Sequence, residues 1–388
     1  MFTAHTSRSR RMRCIAALGG VAALALTLTA CSADAESSGD VGGTDAANSE
    51  LAQTVKELTQ ELDHYPVPTD PVDGVADLNG ATVYYIPVTQ RAPQFAVTQA
   101  GLEAAAKTAG VKVQACDGQG TPTAISACIS QATKANAAGI ILDGFSYDMA
   151  ANAIDSAQSA GVPVVISNQL ADDDHPTSDT FSYVGTAGTP QMTALAQWIT
   201  LDSGGSANVL INESTDGESQ IAYVEAGIKQ FETDCPECVV EVNKISSANF
   251  QEIPSSTSSA LLKNPDTDYL IVEFAEYLQP TQKGVQQSSN TGLNVVAGAS
   301  ALSTLKLVES GGIKAATAQA AGYQGWVDLD AIFRLVEGQD VPEYEIPSRL
   351  FTPETIGDID LTQAAEQSGE WFGPTTFTDD FASLWGLD

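Results

Sequence analysis

Few residues in this chain could do covalent chemistry, and they are scattered. There are three histidines in 388 residues. His5 stands in an apolar leader, His64 in a proline-rich stretch and His175 in the acidic run Asp172-Asp173-Asp174-His175. None of them ends an apolar strand of the body. No G-x-S-x-G elbow, H-E-x-x-H pair or Walker loop occurs. A Ser–His–Asp set or a histidine-rich metal site is therefore unsupported, and no catalytic residue, metal or cofactor is expected. The Asp172–His175 run lacks the alternating ligand spacing of a calcium loop and reads as a solvated turn. Cys235-Pro-Glu-Cys238 has redox spacing but follows a helix and enters a strand. A reactive C-x-x-C sits at a helix start, where the dipole lowers a thiol pKa. This one reads as a structural disulfide across a turn.

The elements around these residues favour binding over catalysis. ATVYYIPV, from Ala81, is an apolar strand rich in β-branched and aromatic residues. An alanine-rich helix follows, with Pro93 near its start and Gly110 at its stop. VKVQA is the next strand, so the three pieces make a parallel β-α-β crossover. The alternation continues. Helices over 123–137, 147–160, 190–201, 219–233, 255–262 and 326–336 separate the strands GIILDGF, VPVVISN, FSYVG, ANVLINE, CVVEVNKI, DYLIVEF and LNVVAGA, with the short segment AATAQAA after them. The class is α/β with parallel sheets, and there are too many strands for one comfortable sheet, so two similar lobes are expected. In such sheets ligands bind at the carboxyl ends of the strands.

Charge and leader set the compartment. The formal net charge is −32, and 43 % of the residues are apolar. Residues 1–30 hold Arg8, Arg10, Arg11 and Arg13 and no acid; removing them leaves 13 basic against 49 acidic residues, a net of −36. Such a surface repels nucleic acid and anionic lipid. The basic head, the apolar run CIAALGGVAALALTL and Leu28-Thr29-Ala30-Cys31 resemble a bacterial lipoprotein signal and its lipobox. The resemblance implies cleavage after residue 30, a diacylglycerol on Cys31 and an anchor on the outer face of the cell membrane. Residues 31–50 are small, polar and acidic and read as a flexible tether. Residues 51–79 read as a short amphipathic helix and an extended proline-rich segment, expected to serve packing.

Three longer stretches carry a family resemblance: KTAGVKV, SQATKANAAGIILDGFSYDMAANAIDSAQSAGVPVVISN and FSYVGTAGTPQMTALAQWI. They resemble the first lobe of type I periplasmic sugar-binding proteins, of the ribose-binding and lac-repressor superfamily. VLINESTDGES, DYLIVEFAE, NVVAGAS and AATAQAAGYQGWVDLDAIFRLVEG resemble the second lobe and the return crossover, and FASLWGL the tail of actinobacterial sugar-transporter lipoproteins. The resemblance implies two Rossmann-like lobes joined by a three-stranded hinge. Residues 80–185 plus 321–346 would form lobe one, and 186–320 plus 347–388 lobe two and the tail. It implies a monomer that closes on a carbohydrate-like solute and delivers it to an ABC permease. Two rival readings stay open: a component presenting ligand to a membrane receptor, and a binder of a non-sugar solute such as a nucleoside.

The binding candidates lie at strand ends: Gln94, Phe95, Ser146, Tyr147, Asn168, Gln169, Glu218, Ser219, Glu273 and Phe274, with Gln319 at the hinge crossing. Aromatic faces cover sugar C–H surfaces, while amides and carboxylates satisfy hydroxyls. The chain departs from the ribose-type pattern. Asn168-Gln169 stand where the family has an Asp-Arg pair, no arginine occurs between Ser219 and Lys229, and Gly298-Ala299-Ser300 replace an aspartate. Gln319 keeps the hinge glutamine. The implied ligand is larger, less polar or differently oriented than ribose. Four cysteines remain in the exported body, an even number that suggests disulfides. Cys116 with Cys128 and Cys235 with Cys238 each close a short loop, whereas crossed pairing between lobes would block the hinge.

Overall fold

The computed structural model describes residues 41–387 with Thr291 excepted; the leader, Cys31 and most of the tether lie outside the described residues. The compact body is Asp45–Asp388. An N-terminal helix α1 (Val41–Leu58) precedes the first sheet. That sheet is built from β1 (Thr82–Pro87), α2 (Pro93–Ala109), β2 (Lys112–Ala115), α3 (Pro122–Lys134), β3 (Gly139–Asp143), α4 (Ala151–Ser159), β4 (Val164–Ser167) and β5 (Phe181–Val184). Its order is β2-β1-β3-β4-β5, all parallel. The chain then crosses into α5 (Gly188–Asp202), β6 (Asn208–Ser214), α6 (Glu218–Asp234), β7 (Val239–Ile245), α7 (Ile253–Lys263), β8 (Tyr269–Val272), α8 (Leu278–Ser288), β9 (Asn294–Ala297), α9 (Leu302–Glu309) and β10 (Ala315–Gln319).

From β10 the chain returns to the first lobe as α10 (Ala321–Val336), then crosses back to β11 (Ser348–Phe351). The second sheet has the order β11-β10-β9-β8-β6-β7, parallel except for the β10–β11 pair. Two α/β lobes with parallel sheets are thus joined by three chain crossings, at 185–187, at Ala320 and at 337–347. The crossings touch: the Ala320 amide donates to the Pro347 carbonyl at 2.8 Å.

Helix α10 starts five residues earlier than the expected 326. Gly322 and Gly325 look like helix breakers, but here Gly325 faces α2 and a Cβ on Gly322 would clash with the Gln367 carbonyl oxygen of the tail. A Cβ on Gly325 would lie 2.8 Å from the Gly101 carbonyl carbon, so the two helices meet backbone to backbone. The expected helix over 147–160 is split into a 3-10 turn at Tyr147–Met149 and α4. Helices α8 and α9, strand β11 and two tail helices, α11 (Gln363–Ser368) and α12 (Phe377–Leu384), add to the elements read from sequence.

The tail lies differently from the lobe-two expectation. Only β11 joins the second sheet; α11 and α12 pack on α2 and α10 of lobe one. The cause is aromatic. Trp385 stacks on Trp326 with centroids 5.6 Å apart, meets Phe333 edge-on at 5.1 Å, and donates its indole N–H to Asp330 at 2.7 Å. Residues 59–72 interlock with this tail. The Tyr65 hydroxyl donates to the Gly369 carbonyl at 2.5 Å, and the Val72 amide to the Leu384 carbonyl at 2.9 Å. Arg349 on β11 donates to the carbonyls of Thr59 and Trp371 at 2.8 and 2.5 Å. Val55 of α1 is buried against Leu195, Trp198 and Leu350 of lobe two. The N-terminal segment therefore runs from lobe two onto lobe one.

Disulfides join Cys116 to Cys128 and Cys235 to Cys238, with Cα separations of 5.8 and 5.3 Å. Each lies within one lobe, so neither spans the crossings. The first has a chain-entropy value on the order of 3 kcal/mol. Trp385→Ala removes a large buried ring and is expected to cost about 3–5 kcal/mol. The check is a fall in the urea midpoint at unchanged slope.

Candidate ligand-binding cleft

The carboxyl ends of both sheets carry an unusual density of buried polar side chains. In lobe one, β3 ends at Asp143 and β4 leads into Asn168, both buried. Asn168 takes a left-handed φ of 58°, which asparagine tolerates better than most side chains. Its Nδ2 donates to Asp143 Oδ1 at 2.6 Å, and the Tyr85 hydroxyl donates to Asp143 Oδ2 at 2.5 Å. Both carboxylate oxygens are thereby used, and they fix the Asn168 amide so that its Oδ1 is presented outward.

That oxygen meets lobe two. Gln319, the last residue of β10, donates its Nε2 to Asn168 Oδ1 at 2.6 Å. Gln191 of α5 reaches Gln319 at 3.5 Å and accepts from the Ala299 amide at 2.9 Å. Gln324 of α10 donates to Ser167 at 2.8 Å, and Ser167 to Asp328 at 2.7 Å. A second contact between the lobes runs from the Leu170 amide to Ser219 Oγ at the start of α6, at 3.0 Å. The two strand-end surfaces thus face each other and touch through amides and hydroxyls.

The structure gathers most of the residues proposed from sequence into this region. Gln94, in the first turn of α2, shares a void of about 10 Å³ with Ser300, Gln319 and the tail residues Glu366, Trp371 and Phe372. The Phe95 ring lies over Gly144, where a Cβ would come within 2.6 Å of Cζ; Gly144 has a φ of 82°, so the position suits glycine twice over. Gln169 is buried and holds the Asn168 carbonyl at 2.7 Å. Glu273 follows β8, its Oε2 accepting from the Ser214 amide at 2.6 Å. Phe274 follows it, edge-on to Tyr277 at 6.4 Å.

Three residues stand apart. Tyr147 turns into lobe one: its hydroxyl donates to Asp155 at 2.5 Å and its ring stacks on His175 at 3.9 Å. The burial gained by covering α4 outweighs exposure at the cleft, so Tyr147 belongs to the core. Ser146 caps the 3-10 turn that carries it. Glu218 is exposed at the first position of α6.

Sequence reasoning passed over Asp143, Gln191, Gln324 and Asp328, and also Tyr223 of α6, a buried tyrosine whose ring lies against Gly188. Asp143 was readable, being the polar end of an otherwise apolar strand. Gln324 and Asp328 were not, because a polar pair on a helix ordinarily marks its wet face. Among the described residues no three-residue His, Cys, Asp or Glu group is arranged to hold a metal, and no helix is long and apolar enough to cross a membrane.

Burial pushes several cleft carboxyls up. Asp143 rises from 3.8 to about 6, burial outweighing the bonds from Tyr85 and Asn168. Asp328 is raised further by burial and by the Asp143 charge. For Asp216 burial acts upward too, but hydrogen bonds from Ser246, Ser247 and Tyr277 hold it below the usual range. Asp143 binds its proton more tightly folded than unfolded. Its contribution to stability is whole below the unfolded value and is lost as pH rises through about 6. Relative to Asp143→Asn, the native chain should therefore lose stability between pH 4 and pH 6.5. Urea midpoints measured across that range check it, and parallel pH profiles would contradict it.

Comparisons with known proteins agree with this geometry. The sequence profile of the family described as a periplasmic binding protein domain matches residues 83–340, more than half of the chain. No curated protein sequence matches. Among solved structures, an ABC transporter solute-binding protein from Agrobacterium vitis bound with α-D-tagatopyranose is similar, with a TM-score of 0.64 at 19 % identity over 72 % of this chain and 96 % of that one. A 5-methylthioribose transporter solute-binding protein from Thermotoga lettingae gives 0.64 at 15 %, over 79 % and 99 %. A Mycobacterium smegmatis protein in complex with β-D-fucofuranose gives 0.62 at 14 %, over 79 % and 98 %. With its two parallel lobes, three crossings and facing strand ends, the chain belongs to the periplasmic binding protein family.

Proposed function

We propose that this chain is the extracytoplasmic solute-binding component of an ABC importer and takes a small sugar-like or polyol-like ligand. The observation that carries the reading is the facing of polar strand ends from two lobes, bridged by Asn168–Gln319 and Leu170–Ser219. Such contacts suit a site that opens and closes on a solute with many hydroxyls. Phe95 and Phe274 would cover C–H faces, while Gln94, Asn168, Gln169, Ser219 and Gln319 would meet hydroxyls. Asp143 acts behind Asn168 as a positioning residue. No catalytic step is required. The ligand displaces contacts between the lobes, and the closed form docks on a separate permease. The named ligands of the similar structures support the solute class.

The same reading takes residues 1–30 as an export signal and Cys31 as the lipid-bearing residue, with the protein a monomer on the outer face of the cell membrane. Two or more acyl chains hold a protein stably to a membrane. Cells grown with labelled palmitate should label the native chain and not Cys31→Ser; a native chain that takes up no label would contradict the anchor.

The solute is found by thermal unfolding of the body against pentoses, hexoses, disaccharides, polyols, nucleosides and amino acids. A ligand at a hundredfold excess over its Kd adds about 2.7 kcal/mol, a shift of several degrees. The expected result is a shift with one sugar or polyol class, erased by Gln319→Ala and weakened by Phe95→Ala. A shift with nucleosides or amino acids alone would overturn the carbohydrate reading.

A further inference from the structure

We propose that the solute carries a protonated amine, as an amino sugar or amino polyol does, and that this ammonium sits against Glu273 in lobe two. The inference rests on the solute-binding reading above and narrows it to a ligand class. Glu273 is 3 % exposed. Its Oε2 is held by the Ser214 amide, but Oε1 has no partner. The register that pairs Asn212 with Val272 sets Glu213 beside Glu273 on the neighbouring strand and on the same face of the sheet. Glu213 is 4 % exposed, and its Oε1 makes no hydrogen bond, its nearest cation being Lys244 Nζ at 3.8 Å.

Helix α6 supplies two more orphans, Gln220 Oε1 and the Tyr223 hydroxyl. Tyr223 is 2 % exposed and its ring lies against Gly188; burial raises its hydroxyl, Thr186 and Ser219 oppose that, and the charge of Glu273 adds to it. Of these four atoms the three carboxylate and amide oxygens only accept, and the Tyr223 hydroxyl brings a single proton. Acceptors therefore outnumber donors here. Few native structures leave such a group buried and unpaired without a reason.

Charge separates an amine from a hydroxyl. Burial pushes Glu273 well up, and the carboxylates of Glu213, Asp216 and Glu276 push it further, so a cation beside it is what would favour its ionised form. Among the described residues no Lys or Arg pairs with it; Lys244, 3.8 Å from Glu213, keeps most of its side chain in solvent. A hydroxyl brings one proton and no charge, whereas an ammonium brings three protons and offsets a buried anion. A hard divalent cation fits poorly, since it takes six or more oxygens and two carboxylates are present. The rim agrees. Asp172, Asp173, Asp174 and Glu218 flank the strand-end loops, and Arg91 is the single Lys or Arg on them. That field draws cations toward the cleft and repels sugar acids and sugar phosphates.

The test is calorimetry on the intact chain with matched ligands. Glucosamine, galactosamine and glucamine are each compared with the parent hydroxyl compound, and the two amino sugars also with their N-acetyl forms. For at least one skeleton the amine should bind about tenfold tighter or more than its uncharged partners. Glu273→Gln should bring that ratio below about threefold, and Tyr223→Phe, which removes only a hydroxyl, should lower it in part. Neutral parents binding as tightly as the amines to the native protein would overturn the inference and leave the solute-binding reading standing. That comparison needs no variant to fold. Binding of neither amines nor neutral sugars or polyols would overturn both.

Discussion

Every side chain from Ala321 to Leu335 is buried, so each polar group on α10 has to find its partner inside the protein. Four of them reach out in two directions, with Asp328 Oδ2 left without a partner. Gln324 and Asp328 point toward Ser167 and the cleft, and Asp330 and Arg334 pair with each other at 2.8 Å on the far side. Asp330 also accepts from Tyr344 and Trp385, and Arg334 reaches the Asp70 carbonyl. Leaving any buried charge of this kind unpaired costs several kcal/mol. The interlocked N-terminal segment and tail are what complete those pairs. A helix that leaves the last strand of one lobe and is buried in the other also ties the cleft to the hinge.

This arrangement sets what can move. Lobe one, α10, the segment 62–75 and helices α11 and α12 share one continuous core, which runs on through Leu270, Val295, Leu305 and Ala316 of lobe two. The crossings at 185–187, Ala320 and 337–347 lie beside that body. At the cleft the two lobes meet through amide and hydroxyl contacts, Asn168–Gln319 and Leu170–Ser219. Contacts such as Asn168–Gln319 exchange readily for contacts with a solute because water or ligand hydroxyls can replace them at little cost. The aromatic packing around Trp385 cannot be exchanged that way, which keeps the change at the cleft rather than in the tail.

Much of the fold was legible because buried parallel strands read as apolar runs and their helices as alanine-rich repeats. β1, β3, β4, β6 and β8 show this directly. The start of α10 was hidden because Gly322 and Gly325 mean close helix packing here and helix stops elsewhere. The tail was hidden because aromatic side chains announce burial but not the partner that buries them. Near the facing strand ends, Asn168, Gln169, Glu273 and Gln319 were proposed by one rule, that polar residues following apolar strands face a cleft, and Ser219 from its place at a helix start. The same rule misplaced Tyr147, whose ring had α4 and His175 to cover. It passed over Tyr223 and Gln324, which reach the cleft region from helices, where period alone does not tell a dry polar face from a wet one.

The central claim is that a solute is held between the carboxyl ends of both sheets. Hydrogen exchange of the intact chain, with and without the solute found by thermal shift, tests it most directly. The account predicts added protection in both lobes, at 89–95, 143–146 and 167–170 on one side and at 214–223, 273–277 and 298–301 on the other. Protection confined to one lobe, or centred on the Tyr147–His175 face, would contradict it.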